Sequence, residues 1–265
     1  MQILGILNIT EDSFSDGGKF LAPEAALAQG RALLKDGADI LDIGAASSNP
    51  DSKPVPIETE IARLESVVPA LQAEGAVLSI DSFAPEVQRW ALKQGVAYLN
   101  DIHGFAEPAL YSELARADVK LIVMHAVLGR GIATRDDIPA NEIFGRAVSC
   151  FEQRVAALMG AGIARERLIL DPGMGFFVGS DPENSLTLLR RLPELRARFG
   201  LPLMVSVSRK SFLRKLVGRA PGEAGAASLA AELFAEANGA DYIRTHAPGP
   251  LRDGLKVLKA IGNGR

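Results

Sequence analysis

Residues 76–102 read AVLSIDSFAPEVQRWALKQGVAYLNDI. Two short apolar runs, 76–82 and 97–102, flank a segment with helical periodicity, 85–94, that is followed by Gly95. Runs this short and this apolar read as strands buried on both faces, as in a parallel sheet, and a Gly after a helix reads as its C-terminal cap. The same unit recurs in both directions. Further runs rich in Ile, Leu and Val occupy 3–9, 38–45, 119–126, 167–174, 201–208 and 240–246. Amphipathic segments at 22–36, 57–74 and 141–161 lie between them, and Gly37, Gly75, Gly162, Gly200 and Gly239 repeat the cap-before-strand pattern. Eight strands, each followed by a helix, predict an α/β fold, a single (β/α)8 TIM barrel. An open, doubly wound sheet is the alternative. The length of 265 residues suits one barrel domain spanning 1–265, and no linker or low-complexity stretch divides it.

A net charge of −3 with 48% hydrophobic and 23% charged residues excludes a disordered chain and gives no basic footprint for a nucleic-acid partner. No apolar run approaches the ~20 residues that span a bilayer, and no signal peptide opens the chain, so neither membrane nor secretion is expected. The single Cys150 excludes an intrachain disulfide and reads as a small buried hydrophobe in a helix. These features predict a cytoplasmic protein.

Barrel enzymes carry their chemistry on the loops after the strands. Here almost every strand ends in polar residues: Asn8, Asp42, Asp81-Ser82, Asn100-Asp101, Met124-His125, Asp171-Pro172-Gly173, Ser208-Arg209-Lys210-Ser211 and Arg244-Thr245-His246. Asp42 alone reads as a satisfied structural acid. The Ser208–Ser211 run enters a helix at 212–217 and offers free N–H groups, a hydroxyl and two cations to a phosphate or carboxylate. Arg244 and His246 alternate along the last strand and so share a face. Asp81, Asn100 and Asp171 come from three strands and can meet one flat polar edge, an aminopyrimidinone ring better than a sugar. His103, His125 and His246 lack zinc spacing. A cation, if bound, is Mg²⁺ held mainly by substrate phosphates. Two long loops on the same side, 10–20 and 45–56, read as lids.

The segment Gly5-Ile6-Leu7-Asn8-Ile9-Thr10-Glu11-Asp12-Ser13-Phe14-Ser15-Asp16-Gly17-Gly18 resembles the opening signature of the dihydropteroate synthases. Further matches follow in order at Asp39-Ile40-Leu41-Asp42, Ser79-Ile80-Asp81-Ser82, Leu99-Asn100-Asp101-Ile102, Val123-Met124-His125, Leu170-Asp171-Pro172-Gly173, Ser208-Arg209-Lys210-Ser211-Phe212 and Arg244-Thr245-His246. The resemblance covers essentially the whole chain. It implies a Mg²⁺-dependent transferase of folate biosynthesis, typically dimeric, that joins 6-hydroxymethyl-7,8-dihydropterin diphosphate to p-aminobenzoate and releases pyrophosphate. By the same resemblance the pterin pocket falls on Asp81, Asn100, Met124, Asp171 and Lys210. The diphosphate falls on Asn8 (through Mg²⁺), Arg244 and His246, and the p-aminobenzoate carboxylate on Ser211. Phe14 and Pro50 belong to the lids. Ser48, Asn49, Phe176, Phe177 and Ser208 complete the implied substrate-binding set, with Asp81, Lys210, Arg244 and His246 as its catalytic members.

Two departures stand out from the family pattern. Asn49 takes the place of an Arg that contacts diphosphate, and Phe177-Val178 follow Gly175-Phe176 where Gly-Lys is usual. In both respects the chain resembles the sulfonamide-insensitive synthases carried on mobile elements. Within the pterin-binding superfamily, a methyltetrahydrofolate:corrinoid methyltransferase is the rival reading. It has no use for a diphosphate site, and the Arg244/His246 pair and the Ser208–Ser211 run oppose it. A non-catalytic pterin-binding paralogue is the second alternative, opposed by the intact Asn8, Asp81, Lys210 and His246.

Overall fold

The computed structural model describes residues 1–10, 23–47, 53–127, 138–220 and 222–262. Its strands are β1 (Gln2–Asn8), β2 (Ile40–Gly44), β3 (Leu78–Asp81), β4 (Tyr98–Asp101), β5 (Lys120–Met124), β6 (Leu168–Asp171), β7 (Met204–Val205) and β8 (Tyr242–Thr245). They form one parallel sheet in the order β6-β5-β4-β3-β2-β1-β8-β7. A parallel bridge between Leu170 and Leu203 joins β6 to the start of β7, and the ring closes. The protein is therefore a (β/α)8 barrel, not an open sheet.

The helices are α1 (Pro23–Lys35), α2 (Ile57–Glu65), α3 (Val68–Ala73), α4 (Pro85–Gln94), α5 (Tyr111–Arg116), α6 (Ala140–Gly160), α7 (Pro182–Arg190), α8 (Leu192–Phe199), α9 (Ser211–Val217), α10 (Gly225–Ala237) and α11 (Pro248–Gly262). Two expectations need correction. The helix predicted over 57–74 is two helices, because Pro69 lies in the first turn of α3, where it cannot donate to Glu65, the last residue of α2. Cys150 is half-buried, not fully buried.

Side-chain alternation along the strands sets the position of the site. Leu4, Ile40, Tyr98, Ile122, Ile169, Met204 and Tyr242 form a buried apolar layer inside the barrel. Successive side chains point to opposite faces, so the next inward residue on each strand is two further on. Those residues are Ile6, Asp42, Asn100, Met124, Asp171, Ser206 and Arg244. The barrel interior thus changes from apolar to polar within one layer, and the polar layer opens toward the C-terminal ends of the strands. Outward-facing residues such as Leu41, Ile43, Leu99, Leu121 and Leu170 pack into the larger cluster beneath the helices. Burying each such side chain stabilises the fold by roughly 1.5–3 kcal/mol. Among the described residues, no helix is long and apolar enough to cross a membrane.

Candidate active site

Arg244 crosses the polar layer from β8. Its Nε meets Asp42 Oδ2 at 2.5 Å and its Nη2 meets Asp81 Oδ2 at 2.7 Å. Asn100 Nδ2 donates to the same Asp42 oxygen at 3.2 Å, while Asp42 Oδ1 and Asn100 Oδ1 are buried with no partner. Burial by itself would discharge the guanidinium, but Asp42 and Asp81 outweigh it and raise its pKa. Asp81 faces the opening and is pushed up to about 7, chiefly by burial, with Arg244 pulling down and Asp42 and Glu60 adding to the rise. A carboxyl and a guanidinium are thereby held side by side, one near its titration point and the other permanently charged.

Asp171 ends β6 and is buried. Its Oδ1 accepts the Gly173 N–H at 2.8 Å, closing a tight Asp171-Pro172-Gly173 turn. Gly173 has φ +74°, and a Cβ there would lie 2.2 Å from the His125 carbonyl oxygen, so only glycine fits. His125 in turn places Nδ1 2.9 Å from the Pro172 carbonyl, and burial lowers its pKa. This histidine braces the turn. Burial raises Asp171 to about 6, opposed by the Gly173 N–H, Lys210 and Arg244. Lys210 is drawn down to about 8 by burial, with Asp171 opposing and Arg244 reinforcing. Its Nζ sits 4.7 Å from the centre of the Phe177 ring, a cation–π contact.

Beyond β7 and β8, Ser208 Oγ accepts the His246 backbone N–H at 3.2 Å and lies 3.1 Å from His246 Nδ1. Thr245 Oγ1 lies 3.3 Å from the same oxygen. Burial lowers His246 to about 3, with Arg209, Arg244 and Lys210 adding to the fall. Glu232 of α10 is buried, which raises it to about 7, and its Oε1 has no hydrogen-bond partner.

A cavity of about 340 Å³, part of it open to solvent, lies above the polar layer. Its polar lining is Asp81, Asn100, Asp171, Ser206, Lys210 and Arg244, and its apolar walls are Ile102, Met124, Met174 and Phe177. A pocket with apolar walls and both carboxylates and cations in its lining suits a heteroaromatic ring bearing an anionic group.

A family profile described as "Pterin binding enzyme" matches residues 4–246. The chain is 59% identical over 259 residues to the dihydropteroate synthase type-2 of Escherichia coli, covering 98% of this chain and 95% of that relative. The chain belongs to the dihydropteroate synthase family. A solved dihydropteroate synthase from Xanthomonas albilineans with 4-aminobenzoic acid superposes with a TM-score of 0.88 at 35% identity, over 98% of this chain and 93% of that one. The Xanthomonas synthase in complex with 7,8-dihydropteroate gives a TM-score of 0.84 at the same identity and coverage.

In this dihydropteroate synthase family member, the pocket gathers seven of the residues predicted from sequence: Asp81, Asn100, Met124, Asp171, Phe177, Lys210 and Arg244. Asn8 stands at the rim, where a Cβ on Gly44 would lie 3.5 Å from its Oδ1 and 3.7 Å from Asp81 Oδ2. Ser208 and His246 form the hydrogen-bonded pair beside the cavity, outside its lining. Ser211 opens α9 directly after Lys210, and Phe176 precedes the lining Phe177; both are half-buried and outside the lining. Phe14, Ser48, Asn49 and Pro50, and with them most of both predicted lids, lie outside the described residues. Asp42, read from sequence as structural, is fully buried and ion-paired to Arg244, which makes it part of the site's support. Glu232 is a second buried acid that the sequence reading did not single out. The signal was available on α10, whose buried face carries Ser228 and Glu232 while Phe234 points outward.

Proposed function

We propose that this barrel joins 6-hydroxymethyl-7,8-dihydropterin diphosphate to p-aminobenzoate, giving 7,8-dihydropteroate and pyrophosphate. The observation that carries this reading is the convergence of Asp171, Asn100 and Lys210 on one slot walled by Met124 and Met174. Asp171, as a carboxylate, accepts the pterin amino and ring N–H groups, a charge-assisted pair. Asn100 has an unpartnered buried oxygen for a further donor. Lys210 offers an ammonium to the ring acceptors. Arg244 and His246 hold the diphosphate, and Ser211 takes the p-aminobenzoate carboxylate.

The amine nitrogen of p-aminobenzoate attacks the pterin methylene carbon. The carbon–oxygen bond breaks, diphosphate leaves with the electron pair, and the amine loses one proton. Cationic Arg244 stabilises the departing anion, and the Asp81 carboxylate stabilises positive charge developing on the methylene. An arylamine is only weakly basic, so removing its proton needs little help.

Mg²⁺ fits the residues present in one form. Among the described residues no three His, Cys, Asp or Glu side chains cluster as a metal cage. The hard oxygens at the rim, Asn8 Oδ1 and the nearby Asp81 Oδ2, suit a cation held mainly by substrate phosphates and water. Asn8 is the residue that would hold it. The cation would neutralise charge on the leaving diphosphate.

Calorimetry tests the pocket assignment. Asp171→Asn keeps the shape but removes the charge, and pterin binding weakens by about 1.5–3 kcal/mol. Unchanged affinity in a folded variant removes Asp171 from the pocket.

We read the enzyme as sulfonamide-insensitive, on the strength of Phe177. Its ring walls the cavity, and Lys210, the residue before Ser211, lies over it. A drug that ends in a sulfonyl group and a ring is bulkier there than a compact carboxylate. A differential penalty of about 3 kcal/mol separates the two by more than a hundredfold. Deleting Phe177, alone or with Gly179, should lower the sulfamethoxazole inhibition constant while p-aminobenzoate still binds. Inhibition of the parent enzyme near its KM for p-aminobenzoate contradicts this reading.

We place the reaction in the cytoplasm and read the active form as a homodimer. Exposed Leu216, Phe234, Val257 and Ile261, on the adjacent helices α9, α10 and α11, support the second point.

A further inference from the structure

Phe177 stands on a short 3-10 turn, Gly175–Val178, between β6 and α7. A turn this short satisfies few of its own backbone groups, so its position depends on the partners it finds outside. Two of those partners are side chains in the first turn of α7, Asn184 and Ser185, which are 0% and 1% exposed. Ser185 Oγ accepts the Gly175 N–H at 2.9 Å and so fixes the beginning of the turn. Asn184 Nδ2 donates to the Val178 carbonyl at 2.8 Å and fixes its end. The same amide donates to the Ile138 carbonyl, just before α6, at 3.1 Å. Between these two points the Phe177 carbonyl accepts the Val127 N–H at 2.9 Å. The turn also packs on the stem of Lys210, where a Cβ on Gly175 would lie 3.1 Å from Cδ. Asn184 itself is anchored, because Asp181 caps α7 by accepting the Glu183 N–H at 2.9 Å.

A wall rejects a bulky ligand only as strongly as the wall resists being moved. Were the turn free to swing, a large ligand would displace Phe177, and the penalty would shrink to the cost of that displacement. A compact ligand that never presses on the ring is indifferent to how firmly the ring is held. The groups that hold the turn therefore set the ratio between the two affinities, and they touch neither ligand.

We infer that Asn184 and Ser185 are positioning residues that make Phe177 a rigid wall, and thereby set the discrimination between p-aminobenzoate and bulkier sulfonyl analogues. The consequence for the drug rests on Phe177 being the wall that excludes it; the clamp itself does not. A purely structural role, in which the two side chains only join α7 to its neighbours, has a different signature. Losing them would then lower stability and weaken both ligands together.

Inhibition and turnover kinetics test the inference. Ser185→Ala deletes the acceptor of the Gly175 N–H. The sulfamethoxazole inhibition constant, divided by KM for p-aminobenzoate, should fall on the order of tenfold, the scale of one net hydrogen bond. The KM itself and kcat should stay at their parent values. Ser185→Thr restores a hydroxyl and should restore the parent ratio. Asn184→Leu removes two donors at similar volume and should lower the ratio at least as far. If that variant fails to fold, Ser185→Ala, which loses a single oxygen, decides alone. Fluorine-19 NMR of enzyme carrying 4-fluorophenylalanine, assigned by Phe177→Leu, reads the wall directly. Phe177 should give one narrow line in the parent and a broadened or split line in Ser185→Ala. An unchanged ratio in the folded variants, or drug and substrate affinities that fall together, overturns the inference. A parent inhibited near its KM refutes the exclusion of the drug by Phe177, while the fluorine comparison still judges the clamp.

Discussion

Asp171 and Lys210 both line the pocket, and burial moves them toward one another on the pH scale. The acid rises to about 6 and the base falls to about 8. The proposed pterin contact needs Asp171 ionised and Lys210 charged, so the competent free enzyme exists above the first value and below the second. The pH profile of kcat/KM for the pterin substrate, which reports the free enzyme, should be a bell with an acid limb at about 6–7 and an alkaline limb near 8. Asp81, raised to about 7, contributes to the acid limb. Lys210→Met should abolish the alkaline limb and lower activity throughout. An alkaline limb that survives in that variant belongs to another group. At this scale, the residues legible in the sequence were those at strand ends with unusual side chains, such as Asp171 and Arg244. Asp42 was not legible as part of the site, because it acts through Arg244, a neighbour contributed by a distant strand. Asp42 lies 202 positions from Arg244 in the chain.

The Asp171–Gly173 turn is the element on which the pocket depends most directly. It fixes Asp171 by one backbone N–H, and it leaves no room for a side chain at Gly173. Gly173→Ala should destabilise the protein by at least about 2 kcal/mol, from a left-handed φ combined with a backbone clash, and should weaken pterin binding as well. Denaturant midpoints compare the two proteins, and an unchanged midpoint would show that the turn relaxes freely. Elements were legible in proportion to their local signals. Strands β1 to β6 and β8 lie within a residue or a few of the apolar runs that predict them. Only Met204–Val205 of the run at 201–208 is strand; Leu203 makes a single bridge to Leu170, and a turn begins at Ser208. Helix α4 is found at the predicted 85–94. The break between α2 and α3 was marked by Pro69, against an amphipathic pattern that runs through it.

For the whole molecule, the Asp42–Arg244 pair ties β2 to β8 inside a ring where β1 alone separates them. Removing one partner of a buried pair costs ~3–5 kcal/mol. Asp81 remains as a second partner for Arg244, so Asp42→Asn should cost less, about 2 kcal/mol, read from thermal or denaturant unfolding. A neutral effect would mean that Asp81 alone satisfies the guanidinium. If α9, α10 and α11 meet a second copy, sedimentation should give twice the 28.1 kDa chain mass, and Phe234→Arg should shift the enzyme toward monomer. The barrel itself was legible because its strand–helix unit repeats; the exposure of the apolar residues on α9 to α11 was not, because in sequence they look like the core side of an amphipathic helix.

We propose that the pocket above Asp42 and Arg244 joins an arylamine to a pterin with loss of diphosphate. Its most direct test is to mix the purified chain with 6-hydroxymethyl-7,8-dihydropterin diphosphate, p-aminobenzoate and Mg²⁺ and to follow pyrophosphate and 7,8-dihydropteroate together. One pyrophosphate should appear for each dihydropteroate, only when both substrates are present, and Arg244→Ala should abolish it while keeping the parent's circular dichroism. Pyrophosphate release that does not need p-aminobenzoate, or full activity in a folded Arg244→Ala enzyme, would contradict the account.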